Sequence, residues 1–313
     1  MKLPEKPEKE TMYFIGVTTK QSSIMDVFPK WNEILNLNAE LIGIDIDIHA
    51  PKEDYIKAVQ FIREHEKAKG ALVTTHKIDI FDAAWDYFDF LDPHAAIQQE
   101  LSCISKKDNE VYGFAKDPIT SGRSMEEFIP ENFWAEHGGE VLIIGAGGSA
   151  RAIASYLFDP ENGDNIPSRL IVNNRSKPRL DKFADMFKLI NDDVNVEYNL
   201  TPDIEDNDRI LAEVKPYSLV INATGLGKDR PGSPLSDDCT FPENSLVWEL
   251  NYRGGLKFMH QALDQKEEQN LYVEDGWKYF IHGWSEHISE VFDIELTDEK
   301  LKVLDEAASD LKK

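Results

Sequence analysis

Apolar and polar positions in the N-terminal part of the chain follow two alternating spacings. Dense apolar runs predict strands over residues 12–17, 39–48 and 70–74. Between these runs, apolar residues recur every three or four positions, which predicts a helix after residue 24 and another over residues 53–68. Strands that alternate with helices favour an α/β fold, in which helices are layered on a sheet.

A break rich in proline and glycine, over residues 118–139, separates this part of the chain from a second one. Beyond the break, apolar runs predict strands over 140–144, 169–174, 218–222 and 246–250, with a polar stretch near 191–208. From about Leu256 the spacing is mostly helical. We therefore predict an α/β domain over 11–118, a second α/β domain over 119–260, and C-terminal helices over 261–313 that pack back onto the first domain.

Composition and charge narrow the classes of function. The chain has 313 residues, which suits about two domains, and its 34 basic and 58 acidic residues give a net charge of −24. A surface this acidic repels nucleic acid and anionic lipid, so neither is an expected partner. Two cysteines make no disulfide framework, and the N-terminus lacks the apolar segment of a signal peptide. No apolar run reaches the roughly 18 residues of a membrane span, so we expect a cytoplasmic protein.

A glycine-rich turn follows the first predicted strand of the second domain. It comprises Gly145, Ala146, Gly147, Gly148, Ser149 and Ala150. Between a strand and a helix, such a turn favours dinucleotide binding: the first glycine makes the tight turn and the second lets a pyrophosphate approach the backbone. The helix N-terminus adds aligned N–H donors. The alternative is an ordinary glycine turn in a doubly wound sheet that binds no nucleotide.

The end of the next predicted strand indicates which dinucleotide is bound. NAD sites usually carry an acidic residue there, but this segment has none and holds instead Asn174, Arg175, Ser176 and Arg179. A guanidinium can bind a 2′-phosphate through two hydrogen bonds and stack on adenine. The pattern therefore favours NADP over NAD, the alternative being a solvated basic turn.

Two residues of the first domain are candidates for proton transfer. Lys77 follows a predicted buried strand, and Asp117 lies at the end of the domain. Hydride transfer to a carbonyl needs a group that passes a proton to the oxygen, which a lysine oriented by a carboxylate can do. Both residues are also common on protein surfaces, and the sequence pattern alone does not separate these two interpretations.

With these motifs taken together, the chain resembles the shikimate dehydrogenase family over nearly its whole length. The matching segments, in order, are Gly16 with Gln21-Ser22-Ser23, Val73-Thr74-Thr75-His76-Lys77, Gly113-Phe114-Ala115-Lys116-Asp117, Gly145–Ala150, Asn174-Arg175-Ser176 with Arg179, residues 221–227, and Trp248-Glu249-Leu250-Asn251-Tyr252. Any one segment is weak evidence, whereas their order and spacing together are specific.

The resemblance implies a fold and an activity. It implies an N-terminal substrate domain, a C-terminal NADP-binding Rossmann domain and C-terminal helices that return to the first domain. The implied reaction is the NADP-linked interconversion of a cyclic hydroxy acid and its keto form, as in 3-dehydroshikimate to shikimate in aromatic amino acid biosynthesis. The implied catalytic pair is Lys77 and Asp117, and the implied contact to the 2′-phosphate is Arg175.

The resemblance also implies roles for residues near the nicotinamide and the substrate. The segment Thr224, Gly225 and Leu226 matches the family's loop beside the nicotinamide. Tyr252 matches a tyrosine that faces the substrate, and either Thr74 or Thr75 matches the substrate-binding threonine.

The departures from the family pattern concentrate on the substrate. The family has two serines for the substrate carboxylate; here Ser22 is kept and Ile24 takes the place of the second, unless Ser23 substitutes for it. The family's substrate asparagine aligns with Ser102, and its glutamine near the C-terminus aligns with Gly283, or with His282 if a gap is allowed. Losing the partner of a buried polar group costs about 1–3 kcal/mol, so we expect a different substrate from shikimate.

Three functions therefore compete. The first is an NADP-dependent dehydrogenase that acts, as a monomer or homodimer, on a small anionic substrate. The second is a non-catalytic NADP-binding protein on the same scaffold. The third is an enzyme like glutamyl-tRNA reductase, which needs a nucleophilic cysteine, for which Cys103 is the candidate. We predict no metal site, because His76 with Asp79 and His282 with Glu286 offer too few ligands.

Overall fold

The computed structural model describes residues 1–228 and 230–312, and these residues form two compact units. The first unit comprises Met1–Asp117 and Ile281–Lys312, and the second comprises Pro118–Phe280. The predicted C-terminal segment 261–313 ends on residue 313, which lies outside the described residues.

The first part of the chain alternates strands and helices. In order, these are β1 (Glu10–Gly16), α1 (Ile24–Leu35), β2 (Ala39–Asp45), α2 (Lys52–Glu64), β3 (Ala68–Val73), α3 (Lys77–Ala84), β4 (Phe90–Leu91), α4 (Pro93–Gln98), β5 (Cys103–Lys107) and β6 (Glu110–Phe114). The strands form one sheet in the order β2-β1-β3-β5-β6-β4. Strand β1 is parallel to β2 and β3, whereas β5 is antiparallel to both β3 and β6.

The remainder of the chain follows the same alternation. In order, it contains α5 (Asp117–Glu126), α6 (Phe133–His137), β7 (Val141–Ile144), α7 (Gly148–Leu157), β8 (Leu170–Asn174), α8 (Lys177–Phe187), β9 (Val196–Leu200), α9 (Ile204–Leu211), β10 (Leu219–Asn222), β11 (Leu246–Glu249), α10 (Lys257–Asp264), α11 (Lys266–Gln269), β12 (Tyr272–Glu274), α12 (Trp277–Phe292) and α13 (Asp298–Ala308).

The second unit is a doubly wound parallel sheet. Its strand order is β12-β11-β10-β7-β8-β9, which is the order of a complete dinucleotide-binding Rossmann sheet. Alternate residues of each strand face opposite sides, so Val141 and Ile143 enter one apolar cluster while Leu142 and Ile144 enter the other. Both faces are therefore buried under helices, and the predicted α/β architecture is confirmed.

The last helices of the chain belong to the first unit. The indole N–H of Trp31 on α1 donates to the Leu304 carbonyl oxygen on α13 at 2.8 Å, and Lys30 donates to the Ala307 carbonyl oxygen at 3.0 Å. Thr297 begins α13 by accepting a hydrogen bond from the Lys300 N–H. Residues 261–280, which the sequence pattern groups with these helices, lie in the second unit, where β12 extends the sheet.

Five strands are absent from the predicted pattern, namely β4, β5, β6, β9 and β12. Strand β9 lies inside the stretch expected to be polar, and β12 lies inside the region expected to be helical. Both are edge strands with partly exposed side chains, so their sequences lack a dense apolar run. The antiparallel hairpin of β5 and β6 was also not predicted in full. Within the described ranges, no helix has both the length and the apolar character that crossing a membrane requires.

Candidate functional site

Lys77 and Asp117 lie at the same edge of the first unit's sheet. Because β5 is antiparallel to both β3 and β6, the latter two run in the same direction as β1. Lys77 begins α3 shortly after β3, and Asp117 begins α5 shortly after β6. Both side chains therefore stand beyond carboxyl ends of parallel strands, which is where open α/β sheets bind their ligands.

The two side chains form an ion pair. Lys77 Nζ donates to Asp117 Oδ2, with the lysine side chain 18% and the aspartate side chain 7% exposed. Burial acts to raise the pKa of Asp117, but the charge and hydrogen bond of Lys77 outweigh it and hold that pKa below its usual value. The lysine is thus oriented by an ionised carboxylate and still reaches solvent.

Ser102, predicted to bind substrate, is fully buried beside this pair. Its Oγ accepts a hydrogen bond from the Lys116 N–H at 2.8 Å, and its hydroxyl lowers the pKa of Asp117 by hydrogen bonding to the carboxylate. The Lys116 ammonium in turn pairs with Glu290 at 2.7 Å and Glu286 at 3.6 Å on α12. Ser102 therefore supports the carboxylate in this structure.

The other residues predicted to bind substrate follow the carboxyl ends of β1 and β3, and their side chains differ in solvent exposure. Ser22 and Ser23 are half-buried in the segment that joins β1 to α1. Thr74 is half-buried and its Oγ1 donates to the Ile15 carbonyl oxygen at 3.4 Å, whereas Thr75 is exposed. Ile24, which replaces the family's second serine, is completely buried in the core and presents no polar group.

Helix α12 contributes a histidine that the sequence did not single out. His287 is fully buried, its Nδ1 donates to the Gly283 carbonyl oxygen, and its Nε2 has no partner among the described residues. Burial lowers the pKa of His287, while the charge of Asp117 acts to raise it. His282 is also buried on this helix, and a side chain added at Gly283 would meet no described atom within 4 Å.

The structure gives no support to a metal site at His76 or to Cys103 as a nucleophile. His76 is buried and uses both ring nitrogens, with Nε2 at 2.8 Å from the Ile46 carbonyl oxygen and Nδ1 at 3.3 Å from the Tyr55 hydroxyl. The described ranges contain no group of three histidine, cysteine or acidic side chains placed to hold a metal ion. Burial raises the pKa of Cys103 well above its usual value, so this thiol is a poor nucleophile.

The glycine-rich turn lies at the carboxyl end of β7, where the strand order of the second unit reverses. Gly145 has φ +118°, and a Cβ there would lie 2.6 Å from the Ala223 carbonyl oxygen, so only glycine fits. A Cβ at Gly147 would meet no described atom within 4 Å, so this backbone faces open space at the start of α7. Ala150 is fully buried against the sheet, and Ser149 accepts a hydrogen bond from the Tyr279 hydroxyl at 3.1 Å.

A cavity of about 320 Å³ extends from this turn to the end of β8. Its lining includes Gly145–Gly147, Asn174, Arg175 and Arg179. Both arginines are exposed, and neither forms an ion pair with a carboxylate of the described chain. Ser176 precedes α8, and its carbonyl oxygen accepts from the Asn174 side chain at 3.2 Å. Two guanidinium groups are thus available to an anion in this cavity.

The loop after β10 lines the same cavity. Thr224 and Leu226 face it, and Gly225 between them adopts φ +74°, which favours glycine. Arg230 also lines the cavity and was not predicted. Tyr252 is buried in this unit, with the Lys228 ammonium 5.8 Å from its ring centre.

Two further residues, His287 and Glu249, have no role predicted from the sequence, for different reasons. Nothing in the spacing around His287 distinguishes it from a histidine of an ordinary helix. Glu249, in contrast, ends the buried strand Leu246–Glu249 directly after three apolar residues, and a charged residue in a buried strand is a signal that the sequence does contain.

Comparison with known proteins finds similar sequences and structures among shikimate and quinate dehydrogenases. No family model matches the chain. Over 229 residues the chain is 24% identical to the shikimate dehydrogenase (NADP(+)) of Streptococcus thermophilus, a match that covers 72% of this chain and 73% of that protein.

Solved structures of similar proteins cover nearly the whole chain. The shikimate dehydrogenase from Aquifex aeolicus matches with a TM-score of 0.72 at 20% identity, covering 95% of this chain and 97% of that chain. The quinate dehydrogenase from Corynebacterium glutamicum, in complex with NAD, matches with a TM-score of 0.73 at 18% identity, covering 96% and 99%. These likenesses establish the fold.

Proposed function

We propose that this chain, as a divergent member of the shikimate dehydrogenase family, is an NADP-dependent oxidoreductase that interconverts a cyclic hydroxy acid and its keto form. The observation that carries the proposal is the ion pair of Lys77 and Asp117 beyond the carboxyl ends of parallel strands. A non-catalytic binding protein would have no need of an oriented, partly exposed ammonium at this edge.

The proposed catalytic roles follow from the chemistry of the pair. The reaction moves a hydride, which NADP(H) accepts or supplies when bound, and a proton, which the protein must handle. Lys77 gives the proton to the substrate oxygen in reduction and takes it in oxidation. Asp117 orients the ammonium and stays ionised, since Lys77 keeps its pKa low.

The cavity of the second unit fits a dinucleotide with a 2′-phosphate. Gly147 faces open space at the N-terminus of α7, where backbone N–H groups would hold the pyrophosphate. Arg175 and Arg179 are unpaired in the described chain and line the cavity, so they would hold the 2′-phosphate. Together these features favour NADP over NAD.

The proposed substrate is an anionic cyclic hydroxy acid other than shikimate. Ser22 and Ser23 supply hydroxyls for its carboxylate, while Ile24 is buried in the core. Ser102 already bonds Asp117, and the position of Gly283 leaves open space. A substrate with more bulk and fewer hydrogen-bonding groups at these positions fits this pattern, and Thr74 or Thr75 remains for one of its hydroxyls.

The experiment is a panel of cyclic hydroxy acids, shikimate and quinate included, offered with NADP⁺ while the absorbance of the reduced cofactor is followed. We expect turnover of at least one acid by the wild-type protein and about 10²–10⁴-fold less by Lys77→Ala. Binding of NADPH without turnover of any acid would favour the non-catalytic alternative. Absence of NADPH binding would refute the proposal.

A further inference from the structure

Glu249 is a buried carboxylate at the heart of the second unit. It is the last residue of β11, beside Asn222 of β10 in the parallel sheet, and it is completely inaccessible to solvent. No lysine or arginine of the described chain forms an ion pair with it. Buried carboxylates without a cation are costly and rare, so its retention needs an explanation.

Three hydrogen bonds from two asparagines hold the carboxylate. Oε2 accepts from Asn222 Nδ2 at 2.7 Å. Oε1 accepts from both the Asn251 backbone N–H at 2.9 Å and the Asn251 side-chain amide at 2.6 Å. Each carboxylate oxygen therefore acts only as an acceptor.

The same asparagines hold the loop that lines the dinucleotide cavity. Asn222 Oδ1 accepts from the Thr224 N–H at 3.1 Å and from the Thr224 hydroxyl at 2.7 Å. Thr224 Oγ1 accepts from the Leu226 N–H at 3.1 Å. The Leu226 carbonyl oxygen accepts from Asn251 Nδ2 at 3.0 Å and from Asn222 Nδ2 at 3.3 Å. Glu249 is thus linked to both Thr224 and Leu226 through one intervening residue.

The orientation of the Asn222 and Asn251 side chains depends on an acceptor at position 249. Because Glu249 accepts, Asn222 must present its amide nitrogen to it, which leaves Asn222 Oδ1 free to accept from Thr224. A glutamine, or a protonated glutamate, would direct a donor at a donor. If Asn222 turned its side chain over to compensate, the Thr224 N–H and hydroxyl would lose their acceptor.

We propose that ionised Glu249 is a positioning residue for the dinucleotide site, acting through Asn222 and Asn251 to fix the loop Thr224–Leu226 in the form that lines the cavity. The proposal deepens the proposed function, and it rests on that function only for the identity of the ligand as NADP(H).

Burial also makes this carboxylate sensitive to pH. It raises the pKa of Glu249 to about 7, against the lowering effect of its asparagine donors. The charged group that acts on it from the neighbouring strand is Asp275, which follows β12 and raises the pKa further. The acceptor form required by the loop is therefore gained as pH rises through neutrality.

The experiment compares Glu249→Gln with Glu249→Asp and with Glu140→Gln. Glu140 is a matched control, since it is a buried carboxylate beside β7 that bonds Arg169 and Lys215 rather than the loop. The first quantity measured is the dissociation constant of NADPH between about pH 5.5 and 8.5, a range that brackets the titration of Glu249. The second is amide hydrogen exchange over residues 223–226 in the absence of cofactor.

We expect Glu249→Gln to raise the NADPH dissociation constant about tenfold or more at pH 8 and to speed exchange at Thr224 and Leu226. Glu249→Asp should recover part of both effects, and Glu140→Gln should show neither. Wild-type affinity should rise with pH through neutrality, with this dependence reduced in Glu249→Gln. If Glu249→Gln does not fold, Thr224→Val, which removes only the bridging hydroxyl, should still speed exchange at Leu226.

Equal exchange and equal affinity in Glu249→Gln and Glu140→Gln would overturn the positioning role. If the wild-type protein binds no NADPH, the proposed function fails, and hydrogen exchange alone then decides the role of Glu249. Faster exchange in Glu249→Gln would uphold it, and unchanged exchange would overturn it.

Discussion

Replacing Lys77 by methionine separates the catalytic role of the lysine from its structural one. The substitution keeps the length of the side chain but leaves Asp117, whose side chain is 7% exposed, without its cation. Breaking a buried ion pair by removing one partner costs about 3–5 kcal/mol, because the remaining charge is uncompensated. Since the Lys77 side chain is itself 18% exposed, we expect a loss at the lower end of this range, about 3 kcal/mol of unfolding free energy at pH 7.

The double variant Lys77→Met/Asp117→Asn tests this cause. It removes both charges, and apolar or neutral replacement of a whole pair is often close to neutral for stability. We therefore expect the double variant to regain most of the lost stability while its turnover stays about 10²–10⁴-fold below wild type. Urea unfolding and steady-state kinetics on one set of proteins measure both quantities.

The pH dependence supplies a second check on the same variant. In the wild type, Lys77 keeps the pKa of Asp117 low, so the stabilisation is present above the usual carboxyl range and is lost as pH falls through the lowered pKa. In Lys77→Met, burial instead acts to raise that pKa, so the folded variant takes up a proton as pH falls. The stability difference from wild type should therefore shrink on acidification.

Lys107→Met is the control, because Lys107 pairs with Asp293 on the surface, with side chains 49% and 84% exposed. An exposed pair of this kind contributes at most about 1 kcal/mol. If Lys77→Met were no less stable than Lys107→Met, and its stability showed no recovery in acid, Asp117 would not depend on Lys77 and the assignment of the pair would be refuted.

Three further predictions follow from the same structure. Arg175→Asp should weaken NADPH binding about tenfold or more, measured by titration calorimetry, and should leave NADH binding unchanged. The control is Lys177→Asp, which makes the same charge change at a residue that pairs with Asp181 and lies outside the cavity lining. An equal loss of NADPH affinity in the control would show a general effect of charge. Shikimate should give a kcat/KM below about 10⁴ M⁻¹s⁻¹, and a higher value in steady-state kinetics would mean that Ser23 or His282 compensates for the altered positions. Because burial raises the pKa of Glu249 from 4.5 to about 7, its ionisation should remove roughly 3 kcal/mol of unfolding free energy as pH rises through that range, and urea unfolding of Glu249→Gln should lack this fall.

Local chemistry accounts for what the sequence could predict of the candidate site. The turn Gly145–Ala150 carries its function in consecutive residues, since a strand, a positive φ and a helix start can all be read from one segment. The same holds for Arg175 and Arg179, which lie close together in the chain at the end of β8 and the start of α8. The substrate residues could not be settled in this way, because Ser102 and Ile24 are both completely buried and only the tertiary packing shows which groups surround them.

His76 and His287 show most clearly what a sequence pattern cannot predict about the role of a residue. His76 precedes Lys77 in the sequence and is a candidate metal ligand, yet both of its ring nitrogens lie within hydrogen-bonding distance of core groups, the Ile46 carbonyl oxygen and the Tyr55 hydroxyl. No sequence pattern marks His287, yet it lies buried where the charge of Asp117 acts on it, and its Nε2 has no partner among the described residues. A residue's type and spacing describe what it can do, and only its neighbours decide whether it does so.

The sequence by itself determined the alternation of strands and helices, the acidic character of the chain and the glycine-rich turn, because hydrophobic periodicity and turn chemistry act between residues close in the chain. The tertiary structure decided the antiparallel insertion of β5, the pairing of Lys77 with Asp117 and the bonding of Glu249 to Asn222. These depend on strand order and register, which bring together side chains that lie tens of residues apart. No local pattern encodes that arrangement, because it follows from how all the strands pack at once.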